Sequence, residues 1–151
     1  SGLPAIVTYR ATGYVQVPVF AEGDEPEHCI GGNVLENAFK GKTIGPKDPP
    51  APFIPLEFLT YIISLKHEAF TLGWIRDKGI ENSLDAKLEN AKKKLAAGDV
   101  NTAKNILDAF LSEVEAQGCK SYEDCPEGKH LTPEAYALLK YNVKYLMEQL
   151  K

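Results

Sequence analysis

From Phe58 onward, apolar residues recur along the chain with the 3.6-residue period of a helix. Leu59, Ile62, Ile63, Ala69, Phe70 and Trp74 share one face and predict a first helix. Leu84, Leu88, Ala91 and Leu95 form a second stripe, which Asn82 or Ser83 is placed to cap and Gly98 to end. Asp99 opens a third helix with Ala103, Ile106, Leu107, Phe110 and Val114 inward, and Gly118 stops it. Thr132-Pro133-Glu134 reads as a helix start: a capping hydroxyl, a proline at the first helical position, and an acid where the helix dipole favours one. Leu131 is placed to staple onto Tyr136. Leu138, Leu139, Val143, Leu146 and Leu150 make the fourth stripe. Helices with one apolar face and short links pack as antiparallel neighbours, so a small up-down bundle of about four helices follows.

The first third of the chain has a different rhythm. Residues 5–20, AIVTYRATGYVQVPVF, are rich in Val, Tyr and Thr, and Val15, Val17 and Val19 alternate with Gln16 and Pro18, as a half-buried strand requires. Thr12-Gly13 divides this into two short strands, and Pro18 suits an edge because it cannot donate to a ladder. From Ala21 to Pro52 the density of Gly and Pro predicts loops, with one helical turn at Val34–Phe39 and a stiff linker in KDPPAP. The expected organisation is a β- and loop-rich segment over 1–52 followed by a helical bundle over 53–151, mainly α in class.

Bulk composition narrows the partners more than it names them. With 44% hydrophobic and 25% charged residues the chain is globular rather than disordered. Its net charge of −4 offers no electrostatic case for nucleic acid, and Lys92-Lys93-Lys94 reads as a solvated helix face. The greasiest stretch, Phe53–Leu65, is interrupted by Pro55 and Glu57 and followed by Lys66, well short of the ~20 apolar residues of a membrane span. No secretory leader pattern opens the sequence, and a start at Ser1-Gly2 suits a mature or excised part of something longer.

Three cysteines bear on compartment and chemistry. Cys119 and Cys125 flank a polar stretch, CKSYEDCPEG, between two helical patterns. With no second Cys or His pair to complete a zinc site, a local disulfide is the expectation, and with it an oxidising compartment. Closing so short a loop stabilises by roughly 2 kcal/mol in the chain-entropy treatment. Cys29 is left without an obvious partner. It lies in EGDEPEHC, where Glu22, Asp24, Glu25 and Glu27 offer hard oxygens and His28-Cys29 a softer pair. That cluster lacks calcium-loop spacing, so an acidic surface loop is the simpler account and Asp24, Glu27, His28 and Cys29 are weak metal candidates. A nucleophilic role for Cys29 would need a converging base, and His67 and His130 fall in the helical part. Gly41-Lys42-Thr43 does not complete a phosphate loop, because the position that would need the first glycine is Glu36. Trp74, Tyr136, Tyr141 and Tyr145 sit at helical spacing, where aromatics are more often core. Tyr141 and Tyr145, four apart, are the first candidates for ligand contact if they face outward together, with Trp74 beside them.

The run GWIRDKGIENSLDAKLENAKKKLAAGDVNTAKNILDAFLSEVEAQ, continued by GKHLTPEAYALLKYNVKYL, resembles the FIMAH domain. The match lies in Gly79-Ile80 before Asn82-Ser83-Leu84, in Lys87-Leu88 and the turn at Gly98-Asp99. It extends through Ala103, Leu107, Phe110, Val114 and Gln117, and resumes at Gly128-Lys129-His130-Leu131-Thr132. It spans about Ile62–Leu150. FIMAH domains are small helical modules of secreted and cell-surface bacterial and archaeal proteins, commonly beside catalytic or adhesive domains. The resemblance implies an accessory module without catalytic residues. CKSYEDCPE is longer than the family's usual link, and the first fifty residues have no counterpart.

The expected function is therefore non-catalytic and needs no cofactor: attachment or interaction within an exported multidomain protein or surface assembly, with another protein domain, a surface component or a glycan as partner. The alternative is a small exported metal-binding or redox protein built on His28, Cys29 and the acidic loop.

Overall fold

The computed structural model describes residues 2–10 and 40–151. Among them are two β-strands, β1 (Leu3–Arg10) and β2 (Lys40–Lys47), paired antiparallel, and four helices. These helices are α1 (Pro55–Thr71), α2 (Lys78–Ala96), α3 (Val100–Gln117) and α4 (Pro133–Gln149). The fold is mainly α, a small bundle preceded by the sheet. Helix packing runs α1 on α2, α2 on α3, α3 on α4 and α4 back on α1, which closes the bundle. Two compact units are distinguished: residues 1–5 with 44–151, and residues 6–43.

The core follows the stripes. Leu59 and Ile62 from α1, Leu84, Leu88 and Ala91 from α2, Ala103, Leu107, Phe110 and Val114 from α3, and Leu138, Leu139, Val143 and Leu146 from α4 are all excluded from water. At ~1.5–3 kcal/mol for each large apolar side chain buried, this interior is the main source of stability. Both α1 and α2 end where a glycine takes positive φ, Gly73 at 81° and Gly98 at 80°. The paired backbone bonds of a Schellman motif close each end: Trp74 N to Ala69 O with Gly73 N to Phe70 O, and Asp99 N to Lys94 O with Gly98 N to Leu95 O. Asp99 and Thr132 cap α3 and α4 through bonds from Thr102 N and Ala135 N.

Three details depart from the expectations above. α2 begins at Lys78, capped by Asp77 accepting from Ile80 N at 2.9 Å, rather than at Asn82 or Ser83. A glycine at position 79 looks like a breaker, but in a first turn its amide needs no intrahelical partner. Trp74 lies past the end of α1, beyond the Gly73 turn. Residues 40–47, GKTIGPK with its preceding Lys, form a strand instead of a loop. Here the glycine serves close packing: a Cβ on Gly41 would lie 2.7 Å from the Tyr9 ring. The helical turn expected at Val34–Phe39 and the strand expected at Val15–Val19 fall outside the described residues.

Candidate binding face and buried charge cluster

Tyr141 and Tyr145 are one helical turn apart on α4 and line one hollow of about 380 Å³ with Leu3, Pro4, Lys144 and Glu148. Tyr141 is 47% exposed. Tyr145 is half-buried and fixed from behind, its ring 5.4 Å from Phe53 edge-on and 5.9 Å from Phe58. One tyrosine is thus a rigid wall and the other an exposed plate, with an ammonium and a carboxylate between turns. Such a surface can stack on an apolar sugar face or an apolar side chain while offering hydroxyl and charged hydrogen-bonding groups at its edge.

The neighbouring turn of α4 locks this face to α3. Lys140 Nζ lies 2.6 Å from Glu115 Oε1, Tyr136 donates to the same oxygen at 2.8 Å, and Lys140 donates to the Tyr136 hydroxyl at 2.9 Å. Those hydrogen bonds, from Lys140 first and then Tyr136, hold the Glu115 carboxyl below its ordinary range and raise Lys140 above its own. Lys140 Nζ also sits 5.6 Å from the Tyr141 ring centroid, a cation–π contact that orients the exposed tyrosine.

Trp74 stands elsewhere. Its carbonyl accepts from Thr132 N at 2.9 Å, at the entrance to α4, and it does not line the tyrosine hollow. Asp24, Glu27, His28 and Cys29 lie outside the described residues. Cys119 and Cys125 are disulfide-bonded, with Cα atoms 4.9 Å apart. Within the loop they close, the Tyr122 hydroxyl reaches across to Glu134 Oε1 at 2.5 Å. Partial desolvation of the hydroxyl on an otherwise exposed side chain, and then the hydrogen bond to that carboxylate, push the Tyr122 phenol up to about 12.

A second constellation is one that sequence reasoning passed over. Lys66 on α1 is wholly buried, and its Nζ bonds Glu81 Oε2 on α2, lies 2.8 Å from Asp85 Oδ1 and 3.1 Å from His67 Nδ1. Lys78 donates to the other Glu81 oxygen at 2.7 Å. Burial pushes the Glu81 carboxyl up, but hydrogen bonds from Lys66 and Lys78, with their charges, more than reverse this and hold it below its ordinary value. His67, Glu81 and Asp85 present donor atoms within 4.8 Å of one another, a spacing suited to a metal ion. The Lys66 ammonium already stands among those donors, so the protein's own cation fills the cage. An ion entering there would have to displace that buried ammonium. The signal available in the sequence was a lysine at an interior position of one stripe and a glutamate three residues before Leu84 on the next.

No known protein family, curated protein or solved structure matches this chain. No helix among the described residues is long and apolar enough to cross a membrane.

Proposed function

We propose that this chain is a non-catalytic accessory module of FIMAH type, exported, which attaches or docks a larger protein or surface assembly through the tyrosine face of α4. The observation that carries this reading is the shared hollow of Tyr141 and Tyr145, with the exposed ring of the first set against the braced ring of the second. The Cys119–Cys125 bond supports an extracytoplasmic setting, because such bonds persist in oxidising compartments. Caps, glycine stops and a continuous apolar interior account for most of the distinctive helical residues, as an interaction scaffold requires. The partner is another protein domain, a surface component or a glycan.

The test is a glycan array together with pull-down against extracytoplasmic protein fractions, using the full chain and a Tyr141→Ala/Tyr145→Ser variant. Saturable binding that falls in the variant, with circular dichroism unchanged, supports the assignment. Turnover of a substrate that disappears in Cys29→Ser would replace it with the redox reading.

A further inference from the structure

We propose that Lys66 and Asp85 condense to an isopeptide bond inside the folded chain, with Glu81 as the proton carrier, so that α1 and α2 become covalently joined. This step is independent of the function assigned to the tyrosine face, and the ion pair described above is its starting state.

Helix packing brings the three groups together. Lys66 on α1 is 0% exposed and meets two carboxylates of α2, Glu81 and Asp85, which lie one turn apart. The two meet it differently. Glu81 is fully engaged, with Oε2 accepting from Lys66 and Oε1 from Lys78. Asp85 Oδ1 lies 2.8 Å from Lys66 Nζ and is buried, yet it receives no hydrogen bond. A charged pair at that distance is normally hydrogen-bonded. Here the nitrogen is bonded to Glu81 and, at 3.1 Å, to His67 Nδ1, and it touches the Asp85 carboxyl without such a bond. The carboxyl carbon is one bond beyond that oxygen, close to the ~3–3.5 Å separation of groups poised to react. Asp85 is therefore the electrophile and Glu81 the base.

The atoms balance without a co-reactant. The Lys66 ammonium gives one proton to Glu81, and the neutral amine attacks the Asp85 carboxyl carbon to form a C–N bond. Glu81 returns the proton to an Asp85 oxygen. That C–O bond breaks with its electron pair on oxygen, which leaves as water with a second hydrogen from the nitrogen. One amide and one water replace an ammonium and a carboxylate, and Glu81 ends ionised as it began. With Nδ1 accepting from Lys66, the His67 proton sits on Nε2, 3.5 Å from Asp85 Oδ1, where negative charge develops. The Asp85 side chain is 32% exposed although Oδ1 is buried, which gives the water an exit. A well-oriented pair reacts at an effective molarity of ~10⁵–10⁸ M, which offsets the unfavourable condensation of free amine and acid in water. Burial raises the Glu81 carboxyl, and hydrogen bonds from Lys66 and Lys78 lower it by more, so Glu81 is ionised at rest and the neutral pair is a minor state. The bond therefore forms slowly, after folding.

The experiment follows the intact mass of the full chain, with its disulfide reduced before each measurement, over days at neutral pH after refolding. The expected result is a growing species lighter than the sequence mass by one water. Digestion should return a branched peptide that carries both Lys66 and Asp85 and is uncut after Lys66. The same chain held unfolded in urea should keep its full mass, as should Lys66→Met and Asp85→Ala. Glu81→Gln, shown to be folded by circular dichroism, should form the bond roughly 10²-fold more slowly, whereas His67→Ala should still form it. A mass that stays at the sequence value in the folded parent overturns the proposal. So does water lost from a linear peptide, which marks a succinimide, or a branch joining Lys66 to Glu81. Bond formation at the parent's rate in folded Glu81→Gln overturns the role given to Glu81.

Discussion

Lys66 and Glu81 face each other across the α1–α2 interface as an ion pair with side chains 0% and 5% exposed. Asp85, His67 and Lys78 complete the surroundings of this pair, so neither charge meets the interior alone. The desolvation of a buried pair offsets much of its attraction, and its removal as a unit is therefore far milder than the loss of one member.

Glu81→Gln should destabilise the chain by about 3 kcal/mol, at the lower end for a broken buried pair because Asp85 still faces the ammonium. Lys66→Met/Glu81→Leu should cost less than that single change. Chemical denaturation of the three proteins checks the order, and a double variant weaker than Glu81→Gln would contradict it.

Acid should weaken the folded state through the same carboxyl. Because the folded form of Glu81 titrates below its unfolded value, its contribution is complete above the unfolded pKa and is lost as pH falls through the folded one. Urea midpoints measured from neutral pH into the acid range should fall less steeply in Glu81→Gln than in the parent. Parallel curves for the two proteins would argue against the assignment.

Cys119→Ser/Cys125→Ser should lower stability by roughly 2 kcal/mol while leaving helicity unchanged, since the bond closes a loop outside the four helices. Non-reducing peptide mapping of oxidatively produced protein should return one cross-linked species. Recovery of both thiols in alkylatable form would remove the bond, and with it the argument for export.

Two glycines should differ sharply in their tolerance of alanine. At Gly98 nothing surrounds an added Cβ, so the cost is the left-handed backbone, about 1–2 kcal/mol. An added Cβ at Gly118 would lie 2.4 Å from Tyr136 Cδ1 and 2.8 Å from Val114 O, so helix or ring must shift. Melting temperature should fall further for Gly118→Ala than for Gly98→Ala.

The helical half was legible because its signals are local and repeat. The cap at Thr132 and the glycine at 98 act within one turn, and most of the stripe positions of α2, α3 and α4, from Leu84 to Leu146, are buried. What stayed hidden depends on distant partners. Strand β2 contains two glycines and a proline, poor strand formers that hold their place by pairing with β1. Lys66 sits in an otherwise apolar stripe and reads as a surface residue until Glu81, fifteen positions away, is seen opposite it. Asn142 looks like an ordinary polar helix position, and its bond to Pro4 joins residues 138 apart. The pairing of Tyr141 with Tyr145 could be posed from spacing, but which face they share is set by Phe53 and Phe58 on a different element.

The segment between α3 and α4 divides into a fixed base and an exposed tip, which Tyr122 ties to Glu134 on α4. Gln117 O accepts from both His130 N and Leu131 N, and Lys129 Nζ donates to Ala116 O. Residues 120–124 are exposed and lie between the two bonded sulfurs. Sequence placed there is carried on a clamp that the bundle has already closed; replacing Tyr122 gives up its bond to Glu134 and leaves that clamp in place. For an experimenter this is a mounting point: an epitope, a fluorophore site or a peptide ligand spliced between Cys119 and Cys125 would be displayed as a constrained loop, at the end of the bundle where α4 begins.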